Sequence, residues 1–404
     1  MDLLPENLRK KTLLHGAKNW IIYAFRYILV YKKLLAISFI KGKLPFQNSK
    51  KIQGKIWVFA DTHNQYQSLQ FLDKKLPDVA WVSRKFTTKD KPFIHLIGLS
   101  RLFKLLQFPT VFRLLSPIEN DVKGKLFEAS GQYDFFQKLL QKYRPKALIL
   151  SNDHSIAPRS LLLAANSLKI PTVYIQHASV SPFFPNLEAS LNLLEGQHAY
   201  DVYKKCGKIN GIVKLIGMPK FEQYQHLQNH NTLIKKIGIA FNPSDQKMLI
   251  EAFINEVVPQ FPNIVFTFRK HPREERDFFF LAFPNLKESL PRRENAFEFL
   301  TQQDMIFAGD SSIHLEATLL NIVSVYFDFT SIEDKFDYYG FVKNGMIPHL
   351  KTIQESTDFI SKIKENKPDV IHKAAYYNHL IQLSNRKSST ELVITQIQWL
   401  LSTQ

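Results

Sequence analysis

The feature that most constrains the fold is a repeated unit. A run of four or five apolar residues, mostly β-branched, aromatic or leucine, stops abruptly at a polar cluster. It occurs at Ile56–Ala60 before Asp61-Thr62-His63-Asn64, at Val79–Ser83, and at Ala147–Leu150 before Ser151-Asn152-Asp153-His154. It recurs at Thr172–Ile175 before Gln176-His177-Ala178-Ser179, at Leu191–Leu194 before Glu195-Gly196, and at Val213–Ile216 before Gly217-Met218-Pro219. Such runs are too short for buried helices and lack the alternation of half-exposed strands, so they read as strands buried on both faces. Helical patterns fall between them, as at Arg159–Leu168, and Ile94–Leu115 is expected to be mostly helical. Strands alternating with helices at this spacing imply a doubly wound α/β domain. A second series opens at Ile237–Phe241 before Asn242-Pro243-Ser244-Asp245 and continues through Val265–Phe268, Met305–Ala308 and Val323–Phe327. Ser244 is the expected N-cap of a helix from Gln246 to Val258. The polar stretch Glu222–Asn231 reads as a linker, and His372–Leu401 as helical.

With 404 residues, 45% of them hydrophobic, the chain has room for two cores. It divides into a basic amphipathic segment (1–50), a first Rossmann-like domain (51–221), a linker (222–236), a second Rossmann-like domain (237–375) and a C-terminal helix (376–404). A single cysteine, Cys206, excludes a disulfide framework and a Cys-rich metal site, and points to a reducing compartment. The net charge is +17, and residues 1–51 hold eleven Lys/Arg against Asp2 and Glu6. Within this segment, Asn19–Ile40 is apolar and aromatic but broken by Arg26, Lys32 and Lys33. Its uncharged runs fall far short of the roughly 20 residues that span a bilayer, and no cleavage site marks a signal peptide. Two readings stand: a helix lying on an anionic membrane, or a helix packed on the domain with its lysines in solvent. No aromatic-basic RNA motif, helix-turn-helix or zinc finger is present, so nucleic acid is not an expected partner.

Ligands of open parallel sheets sit outside the carboxyl ends of the strands, where all these polar clusters fall. Arg269-Lys270-His271-Pro272 offers cations and an imidazole. Gly309-Asp310-Ser311-Ser312 offers two hydroxyls and the first N–H groups of a helix, a seat for phosphate. Glu316, one turn later, can accept from ribose hydroxyls. Either cluster alone is explained by a helix cap and a surface histidine; at consecutive sheet ends, the two together indicate a nucleotide site. In the first domain, Asp153, His154 and His177 are catalytic candidates. An Asp there deprotonates an acceptor hydroxyl or attacks an anomeric carbon, and His177 acts as base or phosphate ligand. Asp245 is a candidate nucleophile for a retaining reaction, and Asp61 and His63 are candidate acceptor binders. There is no Walker lysine loop, no Gly-x-Gly-x-x-Gly after a strand and no zinc-type histidine spacing. Neither a metal nor a resident cofactor is expected.

Lys270-His271-Pro272 followed by Gly309-Asp310-Ser311-Ser312-Ile313-His314-Leu315-Glu316-Ala317 resembles the C-terminal half of bacterial GT-B glycosyltransferases that build surface polysaccharides. The His-Pro and Ser-Ser motifs are similar to those of sialyltransferases and capsule Kdo transferases, which use CMP-activated sugars. The CDP-glycerol transferases of teichoic acid synthesis carry a related pattern. Tyr174-Ile175-Gln176-His177 and Gly217-Met218-Pro219 are similar to strand ends in the first half of the group. The resemblance implies a GT-B fold in which two Rossmann-like domains, one for the acceptor and one for the donor, face a cleft. It implies that Lys270, His271, Ser311 and Ser312 bind the donor, that Glu316 holds its ribose, and that the chemistry is metal-independent. Two motifs depart from the pattern. The acidic-acidic-Gly of sialyltransferases is reduced to Leu194-Glu195-Gly196, and the His-Gly of the teichoic acid group is replaced by His177-Ala178. The implied activity is transfer of Kdo or another nonulosonic acid from a CMP-sugar, used as co-substrate, to a surface glycan or lipid-linked acceptor. The implied location is the bacterial cytoplasm, peripheral on the inner face of the membrane. The alternatives are a CDP-glycerol-type phosphotransferase, a UDP-sugar transferase or epimerase of the same fold, and a non-enzymatic basic protein that binds membrane or nucleic acid.

Overall fold

The computed structural model describes residues 52–84, 88, 94–96, 120–291, 293–330, 337–381 and 388–403. The basic amphipathic segment lies outside the described residues. Two parallel sheets organise the rest. The first contains β1 (Ile56–Phe59), β2 (Val79–Ser83), β3 (Ile94–His95), β4 (Ala147–Leu150), β5 (Thr172–Ile175), β6 (Leu191–Leu194) and β7 (Ile212–Leu215), in the order β3-β2-β1-β4-β5-β6-β7. The second contains β8 (Lys236–Phe241), β9 (Val265–Lys270), β10 (Leu286–Ser289), β11 (Met305–Ala308), β12 (Val323–Phe327) and β13 (His349–Leu350), in the order β10-β9-β8-β11-β12-β13. Every pairing is parallel. The strand order reverses between β1 and β4 and again between β8 and β11. These are the switch points where open sheets leave a crevice for ligands.

The helices are α1 (His63–Leu69), α2 (Leu72–Lys75), α3 (Asn120–Tyr143), α4 (Ile156–Ser167), α5 (Gln197–Cys206), α6 (Lys247–Val257), α7 (Ala296–Leu300), α8 (Ile313–Leu319), α9 (Ile353–Ile363) and α10 (Ser389–Ser402). Successive strand residues point to opposite faces, so each sheet feeds two cores. Trp57, Phe59, Leu148 and Leu150 pack with Phe136 and Leu140 of α3 and Leu161 of α4. Ile56, Val58, Ala147 and Ile149 pack on the other face with Leu69 of α1 and with Val393, Ile394 and Ile397 of α10. The second sheet packs Ile237, Ile239, Phe266 and Phe307 on Phe253 of α6 and Ile360 of α9. Its opposite face sets Ile306 and Ala308 against Leu315 and Leu319 of α8.

The last helix thus completes the core of the first domain, not the second. The expected continuous helix from His372 is two 3-10 turns, Ile371–Ala374 and His379–Ile381, and then α10. The side chain of Asn378 accepts from Leu380 N at 3.1 Å, a local bond that competes with helix. α10 starts where Ser388 Oγ accepts from Glu391 N. The crossing strand of chain lies tight on the first domain: Tyr376 O accepts from His198 N, and Glu195 O accepts from His379 N.

Other expectations are corrected in detail. The expected linker after Phe221 is part of a 3-10 helix, Pro219–Leu227, and its Glu222 accepts from Thr390 N at 2.9 Å. Helix α6 starts at Lys247 and Ser244 does not cap it; Asp245 instead accepts from Asn242 N and forms its own turn. Ile94–His95 is edge strand β3, and residues 97–119 lie outside the described residues.

Gly196 has φ −165°, open to any residue, but a Cβ there would lie 2.4 Å from the backbone carbonyl of Tyr377. Backbone cannot move aside as a flexible side chain can. Gly196→Ala is expected to destabilise the protein by about 1–3 kcal/mol, read as a lower urea midpoint.

Candidate active site

The carboxyl ends of the two sheets meet at four side chains. His177 follows β5, Glu195 follows β6, Lys220 is the second residue of the 3-10 helix after β7, and Glu316 lies on α8 in the second domain. Lys220 Nζ donates to Glu316 Oε1 at 2.6 Å. Glu195 is 1% exposed. Its Oε2 accepts from Gln176 Nε2 at 3.3 Å, and its Oε1 has no partner. Gln176 Oε1 accepts in return from Glu195 N at 2.9 Å, which locks the carboxylate to the end of β5.

One ammonium therefore faces two carboxylates. Burial pulls the Lys220 pKa down, but Glu316 and then Glu195 more than offset it, and the value ends above the usual lysine range. Burial pushes Glu195 up to about 8, against the pull of Lys220 and with the help of Glu316. At neutral pH the cluster holds a Lys220–Glu316 ion pair and a protonated Glu195.

His177 Nδ1 lies 2.5 Å from Ser151 O. A carbonyl oxygen only accepts, so the ring proton sits on Nδ1 and Nε2 keeps its lone pair. Burial first, then the charge of Lys220, lowers its pKa to about 4. The ring is neutral at pH 7, with Nε2 able to take a proton.

The residues expected on the donor side lie around the β8/β11 switch point. Asn242 Nδ2, after β8, donates to Asp310 O, after β11, at 3.2 Å. His271, the first residue beyond β9, has the opposite tautomer to His177. Its Nδ1 accepts from Arg273 N at 3.1 Å, so its proton is on Nε2 and that atom is a donor. Burial and then Arg273 lower its pKa, which keeps it neutral. Ser311 Oγ accepts from Ile313 N at 3.3 Å, and the Ser312 side chain caps nothing at the start of α8. Asp310 accepts from Tyr338 N, and burial above all raises its pKa to about 7.

The remaining candidates have partners of their own. Lys270 pairs with Glu288 at 3.5 Å, over the ring of Phe278. Arg269 points to the other face, donating to Ser289 Oγ at 2.6 Å and Glu294 O at 3.0 Å. Asp153 is buried and meets Arg159 Nη1 at 3.3 Å, while Arg159 also donates to Asn186 O. Burial raises Asp153 to about 6 despite that partner. Arg159 thus ties the end of β4 to α4 and to the loop before β6. His154 stacks on Phe184, with ring centroids 4.4 Å apart. Asp245 is 1% exposed beneath Gly309, accepts from Asn242 N at 2.7 Å, and is raised to about 6, chiefly by burial. Asp61 accepts from Ser83 Oγ and Arg84 N, which joins the ends of β1 and β2. His63 is the first residue of α1.

Sequence reasoning missed Lys220 altogether and left Glu195 as a fragment of a motif. Lys220 stood next to a recognised strand end, in Gly217-Met218-Pro219-Lys220, but its partner lies far along the chain at Glu316. Among the described residues, no group of three or more His, Cys, Asp or Glu could hold a metal ion, and no helix is long and apolar enough to cross a membrane.

No protein-family profile matches the sequence, and no curated protein matches it. Solved structures do. The chain superimposes on the glycotransferase of kitacinnamycin with a TM-score of 0.58 at 12% identity, over 86% of this chain and 99% of that one. It superimposes on Staphylococcus aureus MnaA, solved with UDP, with a TM-score of 0.57 at 11% identity, over 87% and 97%. For the UDP-GlcNAc 2-epimerase from Neisseria meningitidis, bound to UDP-GlcNAc, the TM-score is 0.54 at 13% identity, over 85% and 100%. The shared architecture is the GT-B fold of two Rossmann-like domains.

The raised pKa of Glu195 has a thermodynamic consequence. Its native state holds a proton that the unfolded chain releases above pH 4.5. Stability from this group is complete below pH 4.5 and is lost as pH rises to about 8. Glu195→Gln cannot titrate. The stability of the wild type relative to this variant is therefore expected to fall by up to about 1.4 kcal/mol per pH unit across that window, measured by urea unfolding at several pH values.

Proposed function

We propose that the chain is a metal-independent glycosyltransferase that moves a sugar from a nucleotide-activated donor to a glycan acceptor, lipid-linked or free. The observation that carries this reading is the meeting of His177, Glu195, Lys220 and Glu316 where the two domains of a GT-B fold approach. Support for a nucleotide-sugar donor comes from the fold and from the polar groups at the β8/β11 switch point.

In this reading the histidines divide the work. Nε2–H of His271 and the Ser312 hydroxyl donate to the donor phosphate as it leaves with the bond electrons. Nε2 of His177 removes the proton from the acceptor hydroxyl that attacks the anomeric carbon. Lys220, already partnered, supplies positive charge where negative charge develops. Protonated Glu195 donates a hydrogen bond to a sugar or leaving-group oxygen. Asp153, His154 and Asp245 support the walls, while Glu316 is shared between Lys220 and the donor ribose.

The sequence motifs favour a cytidine donor carrying Kdo or another nonulosonic acid, and the +17 charge suits an acidic sugar. MnaA and the Neisseria epimerase were solved with uridine ligands, which favours a second reading: a UDP-sugar 2-epimerase, with Glu195 and His177 as the acid–base pair. The two readings differ in whether an acceptor is consumed.

A thermal-shift screen with CMP, CDP, UDP and GDP tests the donor site. One nucleotide is expected to raise the melting temperature, and His271→Ala to weaken its binding about tenfold, as for loss of one hydrogen bond to a charged group. The absence of any nucleotide response would sink the reading. His177→Ala is expected to leave nucleotide binding intact and to lower kcat by about 10²–10⁴, measured on whichever nucleotide sugar is turned over. Release of nucleotide only when a glycan acceptor is present marks transfer, whereas a sugar epimer formed without an acceptor marks the second reading.

A further inference from the structure

Phe183 and Tyr338 belong to different domains, yet their rings stack, with centroids 6.1 Å apart and planes 25° apart. Both remain partly in solvent, 52% and 38% exposed. Phe183 lies on the loop after β5 and Tyr338 on the loop between β12 and β13. Both therefore stand beyond the carboxyl ends of parallel strands, the side on which open sheets bind ligands.

Each ring is carried by a pinned turn. Ser181, fully buried, accepts from Phe183 N on its Oγ at 3.3 Å and from Phe184 N on its carbonyl at 3.0 Å. The Asp337 carboxylate accepts from Val342 N at 2.9 Å and Lys343 N at 2.8 Å, and Tyr339 packs on Phe341 with centroids 5.5 Å apart. Each turn also leads to one half of the candidate active site. Phe184 stacks on His154, which ends the cluster Ser151–His154 whose first carbonyl holds His177 Nδ1. On the other side, Tyr338 N donates to Asp310 Oδ1 at 3.0 Å, next to Ser311 and Ser312. The aromatic pair thus bridges the domains between the histidine proposed as base and the turn proposed to hold the donor phosphate.

The face of an aromatic ring carries negative potential. A pyranose presents a face of weakly positive C–H bonds, with its hydroxyls around the rim, so it is held by a ring beneath that face and a few polar groups at its edge. The carboxylates of Asp310 and Asp337, beside Tyr338, are acceptors suited to that rim. An open-chain alditol phosphate has no such face. A nucleobase has one, but a nucleotide seated on the second domain needs no ring from the first, whereas an acceptor poised between His177 and the donor phosphate has one side toward each domain.

We propose that Phe183 and Tyr338 form a stacking platform for a pyranose ring of the acceptor, which selects a cyclic glycan over an open-chain alditol phosphate. The role rests on the transferase reading above, but the binding itself requires no turnover.

Saturation-transfer NMR on the full chain tests it, with the methyl glycosides of glucose, galactose and N-acetylglucosamine as probes and glycerol 3-phosphate as the open-chain control, each with and without CMP or UDP. Ring C–H protons of at least one glycoside are expected to receive saturation, and glycerol 3-phosphate none. Phe183→Ala is expected to weaken that glycoside about three- to tenfold, as for loss of one aromatic contact. Phe183→Trp, which keeps a ring there, is expected to retain it, and neither variant to change the thermal shift given by nucleotide. Where transfer is assayed, Phe183→Ala raises the acceptor KM and leaves kcat nearly unchanged. The proposal is overturned if no glycoside receives saturation, or if Phe183→Ala and Tyr338→Ala both bind it as the wild type does. It is equally overturned if the loss falls on the nucleotide instead, which would assign the pair to the base. Failure of the transferase reading looks different: no nucleotide response, with glycoside binding still dependent on Phe183.

Discussion

A single ammonium serves two carboxylates where the domains meet. Lys220 stands on the chain leaving the first sheet, and Glu316 on the helix following a strand of the second, so their 2.6 Å contact is both a structural tie and part of the site. Charges taken from water need close, well-oriented partners, and one cation cannot fully serve two anions. Glu195, the deeper carboxylate, resolves the shortage by keeping its proton. In the proposed reaction, a ligand phosphate beside Lys220 would compete with Glu316 for it. Such binding would be linked to how the domains are held together, through a difference in contacts that two states of the interface would feel unequally.

The crossing chain provides the second tie. It lies against the turn of Glu195 and Gly196, and α10 then buries Val393, Ile394 and Ile397 in the first core. The backbone that carries the acid is clamped by the same segment that closes the molecule. The absence of a side chain at Gly196 is what admits that segment, because Tyr377 backbone occupies the place of a Cβ.

The central strands were legible because strands buried on both faces must be apolar throughout. Ala147–Leu150, Thr172–Ile175, Leu191–Leu194, Met305–Ala308 and Val323–Phe327 appear with the bounds the sequence indicates. The edges were not. β10 reads Leu-Lys-Glu-Ser, since a strand with one neighbour can face water, and β3 and β13 are two residues each. Helix α3 contains Gly124 and Gly131, which lower helix propensity, and gave no clear signal. The return of α10 to the first domain depends on contacts between residues far apart in sequence, which no local pattern records. Cations near a strand end were misleading for a related reason. Arg269 and Lys270 still lie within β9, so its alternation sends them to opposite faces, where Ser289 and Glu288 engage them. His271, one residue further, still donates its N–H to Phe241 O of β8, while its ring accepts from Arg273 N.

Residue type alone does not separate His177 from His271, since both follow a parallel strand and both are kept neutral by lowered pKa values. The backbone separates them. At His177 a carbonyl oxygen faces Nδ1, and at His271 an amide N–H does. A neutral imidazole has one proton, so fixing one nitrogen fixes the other. The outward nitrogen is a base in the first domain and a donor in the second. A protonated ring would erase that distinction, because both nitrogens would then donate. Burial, which disfavours the charged form at both positions, is therefore what suits two identical side chains to opposite ends of the proposed transfer, one to accept the proton of an incoming hydroxyl and the other to donate to a departing phosphate.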